Sequence, residues 1–252
     1  MINRFLLRLS VMVLLSEPAF AQIKNGSCNE YRGTIAKDTE IGLTLYARDQ
    51  SLAGSYFYKK DLKDIELSGK YTSARDISLR DTDPNNQSQF QLHFAEYSPK
   101  FDSASPLEAE VLEGTWTSAD GKTSYPVYLQ LDHECVPAGT KRYGPAGASS
   151  DAVVEKNARA FYDAVVGQNP ELAKSYVAYP ATYFDGGKRK QISNSAEFLK
   201  LYEKIFTPSF VAEIAKGIPH HMFVNEQGIM IADGKVWFDA DGKAKHFNNQ
   251  VQ

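Results

Sequence analysis

Few groups of side chains in this chain have the types and spacing that chemistry requires. His133-Glu134-Cys135-Val136-Pro137 begins like the His-Glu-x-x-His zinc pair, but Pro137 stands where the second imidazole would be, so two ligands one helical turn apart cannot form there. Asp81-x-Asp83-x-Asn85 begins like a calcium loop, yet Asn86 replaces the turn glycine and Leu92 stands where a bidentate carboxylate should close the site. His220 and His221 are adjacent, and neighbouring side chains of a strand point to opposite faces, so the pair is expected not to converge on one ion. His221 and Asp185 are the polar candidates for acid–base work, but Asp185 belongs to Asp185-Gly186-Gly187, which reads as a hairpin turn. No phosphate loop, nucleotide fingerprint or nucleophile elbow occurs. The sequence therefore assigns no catalytic residue, no metal ligand and no cofactor.

Cys28 and Cys135 are the two cysteines. An even count in an exported chain favours a disulfide between them over metal ligation, which lacks further Cys or a suitable His spacing, and over two free thiols.

The N-terminal segment indicates export. Arg4 and Arg8 form a positive region, residues 9–16 are uncharged and largely apolar, and Ala19-Phe20-Ala21 places small residues around a cleavage point. Residues 1–21 read as a signal peptide cut after Ala21. The apolar stretch is shorter than the roughly 20 residues that cross a bilayer, so a mature periplasmic chain without a membrane span is expected. Asn25-Gly26-Ser27 lacks the aliphatic residue that usually stands three places ahead of a lipidated cysteine.

The rest must build the elements that position these residues. The 252 residues carry 28 Lys+Arg against 31 Asp+Glu, a net charge of -3, which lacks the basic field of a nucleic-acid binder. Residues 31–131 show period-two alternation, as in Ile41, Leu43, Leu45; Phe90, Leu92, Phe94; and Val127, Leu129, Leu131. Turn signals at residues 48–50, Ser68-Gly69, residues 81–86 and Asp120-Gly121-Lys122 divide them into seven or eight strands. An antiparallel meander closed into a small barrel, residues 22–136, removes exposed edges. Its aromatic residues either line a cavity or fill the core. Residues 137–150 carry Pro137, Gly139, Gly144, Pro145 and Gly147 and read as a linker. Beyond it, in residues 151–252, the period becomes helical: Asp151 can cap a helix ended by Gly167, Asn169-Pro170 starts a short second, Asn194 with Glu197 a third, and Thr207-Pro208 a fourth ended by Gly217. Short strands follow at 222–224, 228–232, 236–239 and 243–247, with Asp233-Gly234 and Asp241-Gly242 as turns.

Gly54-Ser55-Tyr56-Phe57-Tyr58-Lys59-Lys60 and Gly114-Thr115-Trp116 resemble strand motifs of small up-and-down barrels, avidin-like ones among them, and of a module of uncharacterised bacterial exported proteins. The order helix, short helix, strand through Tyr179-Pro180-Ala181-Thr182-Tyr183, helices and β tail resembles the cone-shaped fold of the nuclear transport factor 2-like (NTF2-like) superfamily. That resemblance implies an α+β cone whose concave face forms an apolar pocket, with Phe161, Tyr162, Tyr183, Met222, Met230 and Trp237 near it and His221 as a polar group; the same residues also suit an ordinary core. Trp237 is expected on the concave side beside Phe161 and Tyr183. The reading that follows is a non-catalytic periplasmic protein that binds a partner protein or a small ligand. The alternatives are an inhibitor or immunity protein against a cell-wall hydrolase or toxin, and an NTF2-like hydrolase or isomerase.

Overall fold

A computed structural model describes residues 23–95 and 111–250. The expected signal peptide and its cleavage point lie outside the described residues.

Eight strands follow one another in chain order: β1 (Cys28–Ile35), β2 (Thr39–Arg48), β3 (Ser51–Tyr58), β4 (Ile65–Tyr71), β5 (Asp76–Asp81), β6 (Gln89–Phe94), β7 (Val111–Thr117) and β8 (Ser124–Cys135). Each pairs antiparallel with the next, and β8 returns to β1, so the sheet closes into a barrel. One set of each alternating strand points inward. Tyr31, Leu43, Leu45, Tyr56, Leu79, Phe90, Phe94, Leu112 and Leu129 are all buried in one apolar cluster. The barrel interior is thus packed with side chains, one of the two fillings that an eight-stranded barrel allows. Cys28 and Cys135 are register partners at the closing seam and are joined by a disulfide.

One turn expectation needs correction. Ser68-Gly69 lies inside β4, with Gly69 opposite Leu52 on one side and Leu79 on the other. A side chain at Gly69 would meet the Ser78 carbonyl at 2.2 Å. The glycine there permits close strand approach and does not turn the chain.

The longest continuously exposed part of the connecting stretch is residues 137–141. Tyr143, by contrast, is fully buried in the C-terminal core. The backbone N–H groups of Arg142 and Tyr143 donate to the Asp151 carboxylate at 2.8 and 3.0 Å, which fastens the chain to the start of the next helix. A protease is expected to cut first at residues 137–141, whose backbone is open to solvent. Because a buried seam joins the halves, the products should still co-elute in gel filtration; separate elution would mean that the seam does not hold them.

The C-terminal half contains α1 (Asp151–Val166), α2 (Pro170–Ala173), β9 (Val177–Asp185), β10 (Lys188–Ile192), α3 (Ser195–Ile205), α4 (Pro208–Lys216), β11 (Phe223–Asn225), β12 (Gly228–Ile231), β13 (Val236–Phe238) and β14 (Ala244–Phe247). The helix starts follow capping chemistry: Ser150, Asn169, Asn194 and Thr207 each accept a backbone N–H from the first turn, Ser150 in place of the expected Asp151, whose carboxylate is taken by the Arg142 and Tyr143 N–H groups. Asp185-Gly186-Gly187 does form the turn between β9 and β10. The six strands make one mixed sheet in the order β10-β9-β14-β13-β12-β11, in which only the β14–β9 pair is parallel. α1 lies on this sheet through Phe161, whose ring meets Phe206, Phe238 and Phe247 at centroid distances of 6.2, 5.9 and 5.8 Å.

Candidate functional site

Charged side chains are rarely buried unless paired. Several are concentrated where the barrel meets the C-terminal half. Along β1, Glu30 and Arg32 alternate with inward Tyr31, so they stand on the outer barrel face, and on β2 and β3 the same face carries Gly42, Thr44 and Phe57. In an isolated barrel this face would be wet, whereas here Glu30, Thr44 and Phe57 are almost completely buried. A side chain at Gly42 would strike Arg32 Nη1 and the Phe57 ring within 2.5 Å, so glycine is what allows both to lie flat on β2. The Arg32 guanidinium sits 5.1 Å from the Phe57 ring centroid, and Nη1, which has no hydrogen-bond partner, faces that π surface.

The segment between α4 and β11 supplies the other wall. His221 has φ +48°, a left-handed backbone that costs energy for a residue with a side chain and must be held by its surroundings. The holding groups come from both halves. Arg32 Nη2 donates to the carbonyls of His220 and His221 at 2.9 and 2.8 Å, and the His221 N–H donates to Glu155 Oε1 at 3.1 Å. Tyr143 donates from its hydroxyl to Glu155 and accepts the Met222 N–H. This turn corrects the expectation that the two histidines face opposite ways on a strand. They lie before β11, and the left-handed residue swings both rings to one side, where they stack with centroids 4.1 Å apart and pack edge-on against Phe57.

Both rings reach one carboxylate. Asp64, in the loop between β3 and β4, has Oδ1 3.2 Å from His220 Nε2 and Oδ2 3.1 Å from His221 Nε2. The opposite ring nitrogens are also engaged, His220 Nδ1 with Glu155 Oε2 at 2.5 Å and His221 Nδ1 with Thr44 Oγ1 at 3.0 Å. The Thr44 hydroxyl faces both Glu30 carboxylate oxygens at 2.8 and 2.9 Å, and Arg142 completes the Glu30 pair from the connecting stretch.

The charge states follow from these contacts. Burial alone would raise the Glu30 carboxyl, but His221, Arg142 and Arg32 outweigh it and hold it at about 2. Burial favours neutral His220, yet the Asp64 and Glu155 carboxylates push it up to about 9. For Asp64 and Glu155 the two histidines likewise overcome burial and hold both carboxyls below their usual range. The seam is an interlocked ionic network that ties β1 and the β3–β4 loop to α1, the connecting stretch and the segment before β11.

Beside it, a groove of 430 Å³ runs between the halves. Arg32, Thr34, Ile41 and His133 line it from the barrel, and Lys216, Ile218, Met222, Phe223, Met230 and Ile231 from the C-terminal half.

Of the residues proposed from sequence as a pocket, Met222 and Met230 line this groove, whereas Phe161, Tyr162, Tyr183, His221 and Trp237 do not. Phe161 and Tyr183 are core. Tyr162 is partly buried and ties α1 to α4 through a 3.0 Å bond to the Ala215 carbonyl. His221 belongs to the seam. Trp237 is on the other side of the sheet from Phe161: Val236 and Phe238 are fully buried, Phe238 meets Phe161, and Trp237 is register partner of Met230 and His246. The physical reason is the period of two, which sends Trp237 outward once Val236 and Phe238 face α1. Phe161→Ala is therefore expected to cost about 3 to 5 kcal/mol in denaturant unfolding. Trp237→Ala should cost clearly less, and an equal or larger loss would contradict this placement.

Sequence reasoning missed Glu30, Arg32, Asp64, Arg142 and Glu155, which read as ordinary polar positions. The available signal was Phe57, an aromatic on the outward side of a strand whose inward residues are Leu52, Tyr56 and Tyr58. Asp81 and Asp83, weighed as calcium ligands, accept the backbone N–H groups of Asp83 and Asn85 and so serve as turn acceptors. Among the described residues no helix is long and apolar enough to cross a membrane. No protein-family model matches the chain, and neither the curated proteins nor the solved structures contain a match to it.

Proposed function

We propose that the chain is a non-catalytic periplasmic binding protein that holds a small ligand, or a short segment of a partner protein, in the groove between its halves. The observation that carries this is the groove itself, 430 Å³ and lined by apolar side chains such as Ile218, Met222 and Phe223 together with charged ones such as Arg32, Asp132 and Lys216, in the size range of small-ligand sites. Its walls are pinned by the buried ionic seam, so little ordering cost remains for binding. The Cys28–Cys135 disulfide supports the exported location, since such bonds persist in oxidising compartments.

The C-terminal half is read as an NTF2-like cone, on the support of its element order and of α1 lying against a sheet with two register shifts. In that reading the space between α1 and the sheet would be the pocket, but Phe161, Phe198, Phe206, Phe238 and Phe247 fill it. This filling favours the groove as the ligand seat. It also weakens the hydrolase or isomerase alternative, as does His221, which is 5% exposed and engaged at both ring nitrogens.

Thr34, on the barrel wall of the groove, provides the test. Thr34→Trp adds bulk at a strand position that tolerates aromatics. Native mass spectrometry after incubation with periplasmic extract should show a retained ligand on the wild type and none on the variant, with unchanged thermal melting. Equal retention by both proteins would eliminate the groove as the seat.

A further inference from the structure

We propose that Asp64, His220 and His221 form a binding site for a divalent transition-metal ion of the zinc class, which clamps the barrel to the C-terminal half. This goes beyond the binding groove and does not depend on it. One imidazole or carboxylate ligand atom from each of the three residues lies within 4.8 Å of the others. Ligand atoms around tetrahedral zinc, with bonds of about 2.0 to 2.1 Å, are about 3.3 Å apart. His220 Nε2 lies 3.2 Å from Asp64 Oδ1 and His221 Nε2 lies 3.1 Å from Asp64 Oδ2, each close to that spacing.

The tautomers support the same assignment. His220 Nδ1 faces Glu155, an acceptor, and must carry hydrogen there. His221 Nδ1 faces Thr44 Oγ1 at 3.0 Å and Glu30 Oε1 at 3.6 Å, and the one hydroxyl hydrogen of Thr44 is directed to Glu30, so this Nδ1 also carries hydrogen. The Nε2 atoms are thereby the ones left for an ion, and both face Asp64. A histidine whose far nitrogen donates to a carboxylate or hydroxyl is the arrangement that orients imidazoles on metals. Two imidazoles and one carboxylate suit zinc and its borderline neighbours better than calcium or magnesium, which take oxygen ligands.

Loading displaces any proton on Nε2 and requires the stacked rings to pivot until both lone pairs meet at one point. Three protein ligands leave a fourth position for water. Asp64 is 34% exposed at its side chain, and a 370 Å³ cavity lined by Leu62, Glu155, Pro219 and His220 leads to the site. Because Asp64 comes from the barrel and the histidines from beyond α4, a bound ion would bridge the two halves.

The test uses untagged mature protein stripped with chelator. Calorimetric titration with Zn²⁺ should give saturable one-to-one binding and a raised melting temperature, and Co²⁺ should give the visible absorption of a tetrahedral site. Asp64→Asn is expected to weaken binding by about 100-fold, and Glu155→Gln, which loosens His220 from behind, by about 10-fold. His93→Ala, on the exposed side of β6, should leave binding unchanged. Circular dichroism establishes that each variant is folded; if Asp64→Asn unfolds, the Co²⁺ spectrum of the wild type decides. Absence of saturable binding, equal affinity in folded Asp64→Asn, or loss of binding in His93→Ala would overturn the proposal.

Discussion

Reducing the Cys28–Cys135 bond, or replacing both cysteines by alanine, is expected to lower the unfolding free energy by about 4 to 5 kcal/mol, the chain-entropy value for a loop near 100 residues. The two cysteines are 107 residues apart and are partners in the β1–β8 ladder. The bond thus restricts the unfolded chain across the whole barrel and sits where the sheet closes. Denaturant titration with and without reductant measures the difference. A loss below about 1 kcal/mol would mean that the reduced, unfolded barrel stays compact enough to need no crosslink. Since the bond lies wholly within the barrel, it does nothing to hold the C-terminal half in place, and the melting of that half should respond less.

Glu30→Ala should have a comparable effect for a different reason. The Glu30 side chain is completely buried, and it pairs with Arg142 and with the Thr44 hydroxyl. Removing one partner of a buried ion pair leaves the other uncompensated and costs about 3 to 5 kcal/mol. The double variant Glu30→Ala with Arg142→Met should lose less than the sum of the two single changes, because the second removes the stranded charge. Additive losses in denaturant unfolding would show that the two side chains act independently. The same residue gives a pH prediction. Its folded-state value is depressed, from 4.5 to about 2, so its contribution is complete above 4.5 and is lost as pH falls through 2. The seam should consequently loosen on acidification over that window, read as a falling melting temperature. Glu30→Ala should flatten this part of the profile, and an unchanged acid slope would contradict the assignment.

Most of the secondary structure is legible in the chain, since that information is local. Alternation in Ile41, Leu43, Leu45 and in Phe90, Leu92, Phe94 settles which side of each strand enters the barrel. Asn194 and Thr207 mark helix starts because their side chains satisfy backbone donors two or three residues ahead. Even the change of architecture after residue 150 is visible as a change of period. Only the tertiary structure decided what the outer face of β1 to β3 does, because period two says which residues point away from the barrel but not what meets them. Glu30, Arg32 and Thr44 stand on that outer face and form part of the covered seam. Trp237 shows the same limit on a second sheet: its strand was legible, yet which side met α1 depended on how Phe161 packs against Phe238. His220 and His221 show it most clearly. Their convergence on Asp64, 156 and 157 residues away, needs a left-handed turn at His221 that is held by Arg32 and Glu155, one from each half of the fold. No local pattern encodes a conformation whose energy is supplied by partners so distant in the chain.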